Sequence, residues 1–143
     1  MIGFFIAIIS GALMSVQGVF NTQVTKASGV WAAAAFVQFS ALLVCLGAWA
    51  VFEKESLMRV FSVEPKYMLL GGVIGAFITY TVIQSMSSLG PAKAAMLIVI
   101  SQLIVAYLIE VFGMFGMDKT GFSWRKIIGM GIAIVGIIIF KWK

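Results

Sequence analysis

Five apolar stretches, separated by short polar or glycine-bearing breaks, account for nearly all of the 143-residue chain. They run from Ile2 to about Thr22, Val30 to Phe52, Tyr67 to about Ser88, Ala92 to about Phe115, and Ile127 to Phe140. A membrane-spanning helix needs about 20 such residues, with a range of about 17–25. The pattern therefore predicts helices at about 2–22, 30–52, 67–88, 92–115 and 126–142. The fifth apolar run is short, but Trp124 and Trp142 bracket it. Tryptophan prefers the membrane–water interface, so this pair marks the ends of a crossing.

The breaks are brief. Gln23–Gly29 holds Lys26 and a Ser-Gly turn, and Glu53–Lys66 is the most charged connection, ending in Glu64-Pro65. The residue before a proline avoids helical geometry, which places a boundary there. Gly90-Pro91 is a tight break, with Pro91 suited to the first turn of the next helix. Gly116–Lys126 carries Asp118, Lys119, Arg125 and Lys126. No internal repeat and no low-complexity segment stands out. The first apolar run has no basic segment ahead of it and continues to about Phe20, so it reads as a retained helix and not a signal peptide.

Composition makes lipid the solvent. The chain is 62% hydrophobic and 10% charged, with a mean hydropathy of +1.12, whereas soluble domains carry about 25% charged residues. The expected fold is an all-α integral membrane bundle of five transmembrane helices in one domain, residues 1–143, with the bilayer as its first partner. The net charge of +5 comes from basic residues scattered between apolar runs. That distribution fits headgroup contact and orientation, not nucleic-acid binding. The lone Cys45 sits in an apolar run and reads as a packing residue. Histidine is absent, and no paired carboxylates, nucleophile–base pattern or phosphate loop is present. No enzyme chemistry, cofactor or metal is therefore expected. Five crossings place Lys54, Arg59, Lys66, Lys119, Arg125 and Lys126 on the N-terminal side, against Lys26, Lys93, Lys141 and Lys143. The positive-inside rule makes the N-terminus cytoplasmic, by a small margin that leaves insertion in both orientations open.

Polar side chains inside hydrocarbon are costly and need a reason. Each of the first four helices carries one glutamine: Gln17, Gln38, Gln84 and Gln102. In the first helix Ser10, Met14, Gln17 and Asn21 share one face by their spacing. The third adds Tyr80 and Gln84 at i, i+4, beside Thr81, Ser85 and Ser88, and the fourth adds Ser101. One reading is a polar cavity that binds a small solute at mid-membrane. The other is hydrogen-bonded contact between helices. Glu110 is the only acid within an apolar run. It is a candidate for ion coupling, or else a boundary carboxylate that meets headgroups or a loop lysine. Lys93 lies one turn into the fourth helix and can snorkel to the interface. Small residues form seams for close packing: Gly11, Ser15 and Gly18; Gly71 and Gly75; Gly129, Ala133 and Gly136.

Two stretches carry a family resemblance: GALMSVQGVFNTQV (Gly11–Val24) and SQLIVAYLIEVFGMFG (Ser101–Gly116). With Ala92–Phe112 followed by Arg125, Lys126, Gly129 and Gly136, the chain resembles an EamA-type module of the drug/metabolite transporter superfamily. It is more closely similar to the YdcZ-type branch, a bacterial family of small five-helix membrane proteins. The resemblance implies a half-transporter in the bacterial inner membrane that pairs with a second copy or with a related five-helix chain. It also implies an acid at the place of Glu110. Gln102 stands where the broader family often has proline, and Gln17 and Asn21 stand on a helix where small multidrug-resistance relatives carry an acid. The expectation is a dimeric transporter, exporting a small metabolite or drug-like solute by alternating access. Gln17, Asn21, Tyr80, Gln84 and Gln102 would bind the solute, with Glu110 as the coupling candidate. An accessory or structural subunit of another transporter, or a passive pore, is the alternative.

Overall fold

A computed structural model describes residues 1–53 and 55–141 of the chain. Lys54, Trp142 and Lys143 lie outside the described residues, and with them the interfacial place expected for Trp142. The long elements are α1 (Ile2–Ser28), α2 (Val30–Phe52), α3 (Gly71–Leu89), α4 (Pro91–Phe112) and α5 (Trp124–Lys141). Short 3-10 helices cover Leu57–Ser62, Lys66–Leu70 and Met114–Gly116. Hydrocarbon offers backbone amides no partner, so apolar runs close their hydrogen bonds within themselves.

Hydroxyl groups follow the same logic. Thr22 Oγ1 donates to the Gly18 carbonyl at 2.8 Å, Thr25 Oγ1 to Asn21 at 2.8 Å and Ser28 Oγ to Val24 at 3.0 Å. These bonds turn inward along the helix, so α1 continues to Ser28, past the Thr22 end that polarity predicted. Lys26 then lies in its last turn, where a cation meets the negative end of the helix dipole.

Two glycines separate helices that otherwise abut. Gly29 has φ 84 and ψ 158; Gly90 has φ 82 and ψ 157. This backbone region is essentially closed to residues with a Cβ. Each glycine carbonyl accepts a 3.1 Å bond from an alanine four residues on, Ala33 or Ala94, and both alanines are fully buried. The same turn thus occurs twice, each time with an Ala-Ala pair four and five residues on. Pro91 occupies the first turn of α4. That helix ends at Phe112, short of the predicted 115, because Gly113 adopts a left-handed conformation and its N–H bonds to Ile109.

The chain is apolar outside. Ile83 is the only large side chain that is fully buried among the described residues, while Phe4, Phe20, Phe36, Phe77 and Ile132 are exposed. So much exposed apolar area suits acyl chains and not water. Cys45 is also exposed, on α2, and does not pack in an interior. Four helical stretches are long and apolar enough to cross a bilayer: Ile2–Ser28, Val30–Phe52, Lys66–Leu89 and Pro91–Phe112. The predicted fifth, α5, carries Arg125, Lys126 and Lys141 within its 18 residues. Its uninterrupted apolar run is Ile127–Phe140. At 1.5 Å per residue this spans about 21 Å, against a hydrocarbon core of about 30 Å.

The chain forms two compact units, Met1–Ser88 and Leu89–Lys143. In the first, α3 meets α1 where Gly18 faces Met86 and Val82, and meets α2 where Gly75 faces Gln38. In the second, α5 lies antiparallel along α4. Lys126 sits by Glu110 at one end, Ala133 by Leu103 at the middle, and Phe140 by Lys93 at the other end.

Candidate functional site

Asn21 is the polar side chain that the first unit hides most completely, at 7% exposure. Its backbone carbonyl accepts from Thr25, but its carboxamide has no hydrogen-bond partner among the described residues. Among the same residues no side-chain N or O is both sealed and unpaired. The Asn21 amide therefore borders open space and is not pressed against apolar groups. An unpaired amide in apolar surroundings costs a few kcal/mol, so a small hydrogen-bonding molecule there would recover that cost.

Gln17 lies one turn earlier, exposed, and it too has no partner among the described residues. The rest of the predicted face behaves otherwise. Ser10 Oγ donates to the Ile6 carbonyl at 2.9 Å, and Met14 is exposed. The polar end of the α1 face is thus Gln17 and Asn21.

On α3, Tyr80 is half-buried and its ring stacks on Trp31, with centroids 4.7 Å apart and planes at 19°. Gln84 Nε2 donates to the Tyr80 hydroxyl at 3.5 Å, the outer edge of hydrogen-bonding range. The structure thus joins Tyr80 and Gln84 as their spacing predicted, and adds Trp31. Sequence reading missed Trp31, whose only signal is its place in the first turn after Gly29. The neighbouring hydroxyls do not join the group: Thr81, Ser85 and Ser88 donate to carbonyls of their own helix. Gln38 comes near the backbone of Gly75 without a hydrogen bond among the described residues. Gln102 belongs to the second unit, where it is exposed on α4 and likewise without a partner among the described residues.

Glu110 has a different setting. Its Oε2 pairs with Lys126 Nζ at 2.5 Å, and both side chains are about half exposed. The Lys126 ammonium also lies 5.6 Å from the centre of the Tyr107 ring. Tyr107 is buried, and its hydroxyl accepts from the Ser123 N–H at 2.8 Å and donates to the Ser123 carbonyl at 3.3 Å. The Thr120 N–H bonds to the Glu110 carbonyl at 2.9 Å. These bonds fold residues 113–123 back onto the end of α4. The cleft beside the ion pair is about 330 Å³ and is floored by Leu103, Ala106 and Met130. The sequence singled out Glu110 but not Tyr107 or Ser123, because partners sixteen residues apart across a loop leave no periodic signal. No group of three His, Cys, Asp or Glu residues that could hold a metal ion occurs among the described residues.

Compared with known families, residues 2–139 match the one described as "Putative inner membrane exporter, YdcZ". No curated protein and no solved structure matches the chain.

Proposed function

The chain belongs to the YdcZ family of inner-membrane exporters, and on that premise we propose that it moves a small metabolite or drug-like solute outward, bound by amide and hydroxyl groups of α1 and α3. The single observation that carries this reading is the buried and unsealed carboxamide of Asn21, which has no partner among the described residues. Gln17 extends the hydrogen-bonding surface along α1. Tyr80 and Gln84 offer a hydroxyl and a second amide, on an aromatic platform completed by Trp31. Neutral groups of this kind suit a solute recognised by hydrogen bonds and shape. Gln102 lies on α4 in the second unit, and the reading rests on the α1 and α3 groups. Glu110 lies in the second unit, paired with Lys126, and is the candidate for ion coupling.

The reading includes a fifth crossing. α5 accompanies α4 from the Glu110 end to the Lys93 end, and α4 is long and apolar enough to span. A helix that tracks a spanning neighbour along its length shares its depth, and basic residues in its first turn can snorkel. It also includes a second five-helix chain, the same or related, with alternating access between the two. Added Cβ atoms on Gly11, Gly71, Gly129 and Gly136 would meet nothing within 4 Å, which leaves small-residue faces available for another helix.

The test is one-sided access to Asn21. In a Cys45→Ala background, Asn21→Cys should react with a membrane-impermeant thiosulfonate from one face of oriented vesicles. No reaction from either face would place the amide in a helix contact and favour an accessory subunit. Equal reaction from both faces of a single orientation would indicate a pore.

A further inference from the structure

The second unit carries a groove whose chemistry changes along its length. At one end stands the Glu110–Lys126 pair, half exposed, above the cleft floored by Leu103, Ala106 and Met130. Leu103 also lines a second cleft of about 230 Å³, bounded by Val99, Ile100 and Ala133. Leu103 lines both clefts, so they follow one another along the apolar groove between α4 and α5, away from the charged mouth. From Glu110 to Ile100 the groove covers about 15 Å at 1.5 Å per residue, the depth of one leaflet of hydrocarbon.

The mouth retains capacity for a ligand. Lys126 has three N–H donors and gives one to Glu110; the second carboxylate oxygen, Oε1, has no partner among the described residues. A ligand with an anionic oxygen and a primary ammonium a few ångströms apart can bond to both residues without breaking their pair. Tyr107 fixes the geometry from below, through its bonds to Ser123 and its ring under the ammonium.

From this arrangement we infer that the α4–α5 groove is a binding site for a phosphoethanolamine phospholipid. The phosphate bonds to Lys126, the ammonium bonds to Glu110, and one acyl chain lies in the groove past Leu103. A choline headgroup has no N–H to give Glu110, and a glycerol headgroup has no cation for it. The site therefore discriminates between headgroups of similar size. This inference is independent of the solute site on α1 and α3.

Native mass spectrometry of the full chain, released from detergent with matched phosphatidylethanolamine, phosphatidylcholine and phosphatidylglycerol, provides the test. Phosphatidylethanolamine should be retained roughly tenfold better than phosphatidylcholine, the worth of about one charge-assisted hydrogen bond. Glu110→Gln should remove most of that preference, and Lys126→Gln should weaken all three lipids. Thermal melting without added lipid reports whether each variant is folded; if Glu110→Gln unfolds the chain, the wild-type selectivity ratio still decides. Equal retention of the ethanolamine and choline lipids by wild type would overturn the inference. So would selectivity that survives in a folded Glu110→Gln. Displacement of the lipid by free phosphoethanolamine at equal concentration would overturn the role given to the apolar groove.

Discussion

Gly18 on α1 and Met86 on α3 occupy one packing site between them. A Cβ on Gly18 would lie 2.5 Å from both Sδ and Cε of Met86, a buried side chain. The methionine end is flexible, so Gly18→Ala should be tolerated at a cost of about 1–3 kcal/mol, the range for overpacking. Gly18→Val should cost more. Met86→Ala opens the space, so Gly18→Ala should cost less in that background. Melting temperatures of the four chains in one detergent measure the coupling; simple additivity would show that the two helices do not meet here.

Asn21→Leu should abolish solute flux in proteoliposomes that hold this chain alone. Gln17→Leu should reduce flux less, since Gln17 is exposed whereas Asn21 is buried. Both variants trade an unpaired amide for an apolar group and should fold at least as well as wild type. The double variant Gln17→Leu with Asn21→Leu gives the firmest outcome: transport equal to wild type would remove α1 from the binding site.

Tyr107→Phe deletes one hydroxyl and strands the Ser123 N–H that it accepts. The expected loss is about 1–3 kcal/mol, the penalty for an orphaned donor. It should be local. Hydrogen exchange at residues 117–124 should accelerate in the variant, while exchange in α1 and α2 stays unchanged.

Gly29→Ala and Gly90→Ala should destabilise by similar amounts, about 1–3 kcal/mol each, since the two glycines share one backbone conformation that a Cβ disfavours. Neither added Cβ would meet a neighbour within 4 Å. The cost is therefore backbone strain and not collision. Chemical denaturation of both variants checks the equality; a marked difference would mean that the two turns are not equivalent in energy.

Hydrophobic run length located the five long helices but not the 3-10 turns between them, because in hydrocarbon the same apolar stretch decides both burial and backbone bonding. It placed the ends less well. Thr25 and Ser28 look like connector residues, yet their hydroxyls can bond back to the preceding turn, and α1 keeps them. The candidate site divided in a similar way. Tyr80 with Gln84 is an i, i+4 relation and was readable, whereas Trp31 against Tyr80 depends on how two helices cross. Gln17 and Asn21 lie on one predicted face but differ in exposure, since burial depends on neighbours that the face itself does not name. Of the predicted small-residue seams, Gly18 meets a close neighbour, while Gly11, Gly71, Gly129 and Gly136 do not.

Single-residue joints at Gly29 and Gly90 have a consequence for how the cell can reach this protein. Each joint leaves its two flanking helices linked by one residue, with no loop between them. The longer connections are those between α2 and α3 and between α4 and α5. Proteases, regulatory proteins and antibodies would find no foothold at either joint, whereas an epitope tag placed in either long segment should be accessible.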